Sequence, residues 1–496
     1  MPIELPMINS DFFLAAAPIL VLCIMGCTFM LSGVSAATKD KVNLHYLLIL
    51  GTLAGSLGLS SLAVPQFESH FLGGAYLAGP LTAFGQSLIL AIAVITVIFV
   101  KETGKKLNFF RGEVLSLFCF CLLGMLTLIS STDAITIFLG LEISSICLYV
   151  LVGYIEPSRK SQEGAIKYFV LGSLGAALFL MGFALIYSAT GTFNIAEMSN
   201  TVQKLGDHRW IELGTILILC GIALKLALVP FHLWSPDAYE SAPTAITAFM
   251  ATSVKAMIII FAFRILSQGL GTIVDIWLPG IVFLSACSVL IGNVMALVQS
   301  SLKRMLAYSS IAHGGYMTMA LCALNNNGHT APIAAVMYYL VAYSVVSLCA
   351  FGIIMWLEGD LDNILIEDLR GLSSQYPLAS FCLASAMFAL AGMPPTGGFI
   401  AKFFIFKSTL DQGLYALVIT AAIGSSISLF YYLRVIVKMY LTKPTESPAP
   451  FQPQKSLILG CIMGAFIVSM VLLGTVLPDH LLTQFMKIAE NVNLNG

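Results

Sequence analysis

Residues 246–263 read ITAFMATSVKAMIIIFAF, a run whose sole charge, Lys255, stands near its middle. The wider segment 242–268 puts thirteen residues on each side of that lysine. A stretch this long and apolar predicts a helix crossing the ~30 Å hydrocarbon core of a bilayer. A lysine at the centre of such a helix costs about 2.5–3.5 kcal/mol on insertion scales. The same conflict recurs at Glu142 in TDAITIFLGLEISSICLYVLVGY, Lys225 in LILCGIALKLALVPF and Lys402 in PPTGGFIAKFFIF. Four such charges cost on the order of 10 kcal/mol, comparable to the whole stability of a domain. Their default use is ion or proton movement.

The rest of the chain is of the same kind. Its 496 residues are 58% hydrophobic and 10% charged, with mean hydropathy +0.93. That composition excludes a water-soluble protein, and the lipid bilayer is the first partner it implies. A net charge of −1 gives no reason to expect nucleic acid or another polyanion. The N-terminal MPIELPMINSDFF lacks the basic start of a signal peptide, so the first apolar run is expected to be retained. Eleven cysteines lie almost wholly inside apolar runs, without a CxxC. Cys23/Cys27 and Cys119/Cys121 have no metal-binding spacing, so no metal, iron–sulfur cluster, nucleotide or flavin is expected on this chain.

Cutting at polar and Gly/Pro clusters yields about fourteen spans. They run at 11–33, 44–64, 79–100, 113–130, 133–155, 165–189, 212–232, 242–268, 275–298, 304–324, 331–357, 377–409, 413–441 and 456–477. Alternate gaps carry the basic residues, among them Lys39, Lys101, Lys105, Lys106, Arg111, Arg159, Lys160, Lys303, Arg304 and Lys443. The other gaps hold chiefly Lys204 and Arg209. Positive charge favours the inner side, which places both termini on the outer face. The stretch 190–211 is expected to be an outer polar loop and 358–376 an inner acidic one able to form a surface helix. Pro444, Pro448, Pro450 and Pro453 predict an extended linker.

Two spans are predicted to be broken. Pro230, Pro236 and Pro243 crowd PFHLWSPDAYESAP, and MPPTGG at 393–398 interrupts the twelfth span. Proline removes an amide donor and clashes with the preceding turn, which a membrane tolerates only beside protein or water. Lys225 precedes Pro230 by five residues and Lys402 follows Pro395 by seven. Each lysine thus sits beside a break that frees carbonyls and admits water. Glu142 and a lysine in low dielectric form a natural switch, since a proton on either changes the preference of the other. Weaker candidates are Lys167, shallow enough to snorkel, and His232 and His313, whose imidazoles can relay protons. Asp133 reads as a helix cap. Tyr338, Tyr339 and Tyr343 read as packing or as the lining of a wet path.

Five stretches carry a resemblance. GLEISSICLYVLVGY, EGAIKYFVLGSLGAALFLMGFALIYSATGTFN, GIALKLALVPFHLWSPDAYESAPTAITAFMATSVKA, LKRMLAYSSIAHGGYM and FALAGMPPTGGFIAKFFIF together cover nearly all of residues 110–440. The chain resembles the subunit N family of bacterial NADH–quinone oxidoreductases (respiratory complex I), antiporter-like membrane proteins. The resemblance implies an all-α integral membrane protein of about fourteen helices with two inverted five-helix repeats containing broken helices. Flanking helices would occupy 1–112, the repeats 113–268 and 269–441, and a linker with a last helix 442–496. It matches Lys225 and Lys402 to the central lysines of the two repeats, Glu142 to the acid of the first, Lys255 to the bridging lysine and Lys167 to a further one. It implies proton translocation without a redox centre, in a bacterial inner (cytoplasmic) membrane. NADH, FMN, iron–sulfur clusters and quinone would be bound by partner subunits, the other antiporter-like subunits being among the membrane partners. Ending about twenty residues past its last span, the chain is not expected to be the largest antiporter-like subunit. The alternative is a cation/proton antiporter subunit of the multi-subunit sodium/proton type.

Overall fold

A computed structural model describes residues 10–35, 41–62, 68–72, 75–103, 111–154, 158–202, 209–324, 330–358, 363–443, 451 and 457–493. Lys39, Lys105, Lys106, Lys204 and the linker prolines lie outside the described residues.

Among the described residues the fold is almost wholly helical. Helices α1 (Ser10–Val34), α2 (Val42–Leu62) and α3 (Pro80–Thr103) open the chain. Then come α4 (Gly112–Ile129), α5 (Ala134–Val152), α6 (Arg159–Thr190), the short α7 (Ile195–Val202), α8 (Arg209–Lys225) and α9 (Trp234–Ser241). A continuous helix follows as α10 (Thr244–Phe249), a π-turn at Met250–Val254, α11 (Lys255–Arg264) and a second π-turn at Ile265–Gly269. The second half comprises α12 (Val274–Leu297), α13 (Leu302–Cys322), α14 (Thr330–Glu358), α15 (Leu372–Gln375), α16 (Pro377–Ala391), α17 (Gly397–Asp411) and α18 (Tyr415–Tyr440). Helices α19 (Leu457–Thr475) and α20 (Pro478–Asn493) close the chain. Eleven of the described helical stretches are long and apolar enough to cross a membrane singly. The broken pairs α8/α9 and α16/α17, and the less apolar α13, stand outside that set.

Local chemistry sets the boundaries. Asp133 caps α5, accepting from the Thr136 amide at 2.9 Å, and Ser158 and Ser301 do the same for α6 and α13. Helices approach closely where side chains vanish. A Cβ on Gly124 would lie 2.6 Å from Gly140 O, and one on Gly182 would lie 2.7 Å from Gly214 O. These pairs let α4 meet α5 and α6 meet α8 backbone to backbone. Outward faces stay apolar, as with Ile135, Leu139, Ile146 and Val150 on α5.

Several expectations need correction. The seventh span does not run to 232: α8 stops at Lys225, and Ala227 takes φ +55°, so the helix ends before the proline rather than at it. The stretch 190–211 contains helix α7, and the described part of 358–376 holds a 3-10 turn at Ile366–Leu369 and the one-turn helix α15 rather than a longer surface helix. Two elements were not foreseen. Strands β1 (Ser69–Phe71) and β2 (Tyr76–Ala78) form an antiparallel hairpin. Helix α20 lies after the last span and packs Phe485 edge-on against Phe84 of α3 at 5.3 Å.

Candidate functional site

The three deep lysines are 3–5% exposed, and each is held by a serine and faces a tyrosine ring. Lys225 ends α8. Its Nζ donates to Ser145 Oγ at 2.8 Å and to Tyr149 OH at 3.4 Å, both on α5. Ser145 in turn donates to Leu141 O at 2.6 Å. Lys255 opens α11 directly after a π-turn, a distortion that unsettles the carbonyl ladder and often marks functional sites. It donates to the Ser310 carbonyl and lies 5.6 Å from the ring centre of Tyr343, which itself donates to Ser310 Oγ at 2.9 Å. Lys402 donates to Ala391 O at 2.9 Å and to Ser425 Oγ at 3.1 Å, 5.1 Å from the Tyr316 ring.

The helix breaks make these sites. Ala391 is the last residue of α16, so Lys402 takes up a carbonyl with no intrahelical partner. Gly392 follows at φ +83°, where a Cβ would come within 2.9 Å of Lys402 Cδ, so glycine is required by both backbone and space. At the other break the Trp234 indole donates to Leu224 O at 3.1 Å and Ser288 accepts from the Val229 amide at 2.9 Å. These bonds satisfy groups that unwinding exposes in a membrane. A cavity of about 10 Å³ opens inside this break, touching Lys225, Leu226, Ala227, Trp234 and Lys255. It has room for about one water.

Expected and observed positions differ in part. Glu142 and Lys225 are not in direct contact: Glu142 Oε1 is buried with no hydrogen-bond partner, while Lys225 bonds Ser145 and Tyr149. Glu142, Ser145 and Tyr149 share one face of α5 at helical spacing, so the acid lies on the same helix face as the two hydroxyls that hold Lys225. His313 lies between Lys255 and Lys402, its Nδ1 2.6 Å from Tyr339 OH and its Nε2 3.3 Å from Tyr432 OH. A second cavity of about 10 Å³ touches His313, Tyr339, Tyr343, Leu390 and Gly398. Tyr338 bonds the Leu473 carbonyl instead and packs.

Lys167 and His232 stand apart from this row. Lys167 is 43% exposed and paired with Glu163 at 2.6 Å and Asp237 at 2.8 Å. Asp237 is shared with Arg304 at 2.6 Å, and Glu240 with Arg304 and Lys160 at 3.2 Å each. Lys303 is buried against Glu358 at 2.6 Å, and Glu358 accepts from Thr244. Lys303 and Arg304 are therefore structural as well as topological. His232 is half-buried at the foot of the break, 6.5 Å from the Tyr308 ring. Among the described residues no three His, Cys, Asp or Glu side chains gather as a metal site.

The serines at 145, 310 and 425 and the tyrosines at 149 and 316 were missed, since serine and tyrosine inside helices carry no sequence signal of their own; Tyr343 was among the residues expected to pack or to line a wet path. Arg264 was missed as well, although a guanidinium in FAFRILS is such a signal.

A family model described as NADH:quinone oxidoreductase/Mrp antiporter, TM matches residues 131–428. NADH-quinone oxidoreductase subunit N of Methylovorus glucosotrophus is 34% identical over 444 residues, 89% of this chain and 90% of that protein. Its counterpart from Nitrosomonas europaea is 35% identical over 455 residues, 90% and 92% of the two chains. A chain of respiratory complex I from Thermus thermophilus superposes with TM-score 0.78 at 30% identity, covering 94% of this chain and 98% of that one. A chain of the Mrp complex from Dietzia sp. shares the fold, with TM-score 0.84 at 21% identity over 97% and 98% of the two chains.

Proposed function

The chain belongs to the NADH-quinone oxidoreductase subunit N family, and from that premise we propose that its buried row moves protons. It is a multi-pass membrane subunit of an oxidoreductase complex. The row is Glu142, Lys225, Lys255, His313 and Lys402. In this reading the chain makes fourteen crossings, counting α13 and the two broken pairs, with both termini outside. The inverted repeats are 113–268 and 269–441. Redox chemistry with NADH, FMN, iron–sulfur clusters and quinone belongs to partner subunits, and the other antiporter-like membrane subunits are its neighbours.

The observation that carries the reading is the solvation of the three lysines. Each ammonium is held by single hydroxyls and carbonyls, and water-sized cavities open beside both helix breaks. An ammonium held this way changes protonation when a neighbouring charge changes. Energy released by quinone reduction elsewhere reaches Glu142. A proton on Glu142 removes the negative charge that favours the Lys225 ammonium. Lys225 then passes its proton through the cavity toward Lys255. From there Ser310, Tyr343 and His313 offer oxygen and nitrogen stations toward Lys402. Lys167 holds the inner half of the broken helix through Asp237 and is outside the relay.

The test is NADH-driven proton uptake in everted membrane vesicles with Lys225→Met, Lys255→Met or Lys402→Met in an assembled complex. Normal uptake in all three would reject the row. Copurification with flavin and iron–sulfur subunits separates this reading from a cation/proton antiporter, which has the shared fold and the breadth of the matched family model in its favour.

A further inference from the structure

One buried cluster is not used by the row. Arg264 stands nine residues beyond Lys255 on the same helix, about 13 Å at 1.5 Å per residue. It is 2% exposed, donates through Nη2 to Thr82 Oγ1 at 3.0 Å and through Nη1 to Ile129 O, and keeps a buried Nε without a partner. The second π-turn starts at the next residue and brings Gln268 to donate to Glu68 Oε2 at 3.4 Å. Glu68 Oε1 is buried and unpartnered. Its side chain lies against Gly79, where a Cβ would come 2.9 Å from Glu68 Cγ. Gly79 also borders a cavity of about 10 Å³, which touches Ser60, Tyr76, Thr82 and Gln86. That is space for about one water, with four hydroxyl or amide side chains around it.

We propose that Glu68 is a proton-release site on the hairpin face, screened from the lysine row by the fixed charge of Arg264. The proposal rests on the proton-translocating reading above. A guanidinium keeps its proton at any ordinary pH, its pKa lying above about 12. Arg264 therefore cannot relay; its fixed charge repels an excess proton from either side and so limits passive leak, as arginine does in water-selective pores. The carboxylate beyond it supplies the attraction that draws a proton past. Burial raises the Glu68 carboxyl above its ordinary range, with Arg264, His70 and Gln268 pulling the other way. The step is a plain transfer. A protonated water in the Thr82 cavity gives its proton to Glu68 Oε1, forming the neutral acid. The acid then releases the proton to water on the hairpin face and returns to carboxylate.

The experiment uses everted vesicles containing the assembled complex, with assembly checked on native gels. Protons taken up per NADH oxidised are measured as the pH of the vesicle lumen, which bathes the hairpin face, is varied. Glu68→Gln should lower uptake by at least about 2-fold. Glu68→Asp should restore it with an altered dependence on lumenal pH. Wild-type uptake in assembled Glu68→Gln overturns the proposal. If Glu68→Gln prevents assembly, Glu68→Asp decides, since it keeps the carboxyl and moves it by one methylene: uptake with an altered dependence on lumenal pH supports the release site, and uptake with the wild-type dependence overturns it. Lys225→Met, run in parallel, separates the two readings. Normal uptake there overturns proton translocation by the row and the release site with it. Blocked uptake there with normal uptake in Glu68→Gln overturns the release site alone.

Discussion

Replacing Ser145 with alanine removes one oxygen and nothing else. In the wild type that oxygen accepts from Lys225 at 2.8 Å and is itself anchored to Leu141 O. The variant leaves the ammonium with one direct side-chain partner, Tyr149 at 3.4 Å. A hydrogen bond to a charged group contributes about 1.5–3 kcal/mol. At 1.36 kcal/mol per decade, that disfavours the ammonium by about 10- to 100-fold relative to the wild type. The void is smaller than a methyl group, so folding and assembly should be nearly unaffected. The assay is NADH-driven proton uptake in everted vesicles, set against NADH oxidation by the same membranes. Ser145→Ala should slow proton-coupled turnover markedly while the complex assembles, and Ser145→Thr, which keeps the hydroxyl, should retain more of it. Wild-type rate and stoichiometry in the alanine variant would refute the claim that this hydroxyl holds the Lys225 ammonium in a working relay. Equal loss in the threonine variant would point to packing instead.

Three further outcomes follow from the geometry. Lys402→Arg keeps a charge that cannot be released and meets the tight space beside Gly392, so it should impair uptake nearly as much as Lys402→Ala; wild-type uptake would make Lys402 a fixed charge. Asp237→Asn weakens both the Lys167 and Arg304 contacts. These groups are partly exposed, so only a small loss of stability is expected, read as slightly earlier thermal dissociation on native gels, with less difference from wild type in high salt. In a cysteine-free background, a membrane-impermeant thiol reagent on intact cells should label a cysteine at 70 and miss one at 111; the reverse pattern would invert the assigned orientation.

The deep lysines were legible because a charge in a long apolar run contradicts its surroundings. The breaks were legible because proline cannot continue a helix. What surrounds the lysines was not. Ser145, Ser310 and Ser425 are small hydroxyls of the kind membrane helices use for packing, and only the meeting of separate helices gives them a charge to hold. The end of α8 at Lys225 rather than near Pro230 has a similar cause, since Trp234, Ser288 and the left-handed Ala227 define the break from outside the helix. The hairpin at 69–78 escaped notice because three-residue strands are too short to show alternation. The charges of Glu142 and a lysine suggested a switch, but the direct partners of Lys225 are Ser145 and Tyr149, three and seven residues on from Glu142 along α5.

The cavities beside the breaks are far too small to hold a continuous file of water. Conduction needs wetting, and wetting draws water from the bulk. Turnover should then depend on the osmotic pressure of the medium as well as on voltage and pH. A solute too large to enter, raised on both sides, would slow pumping in proportion to the number of waters each cycle must admit.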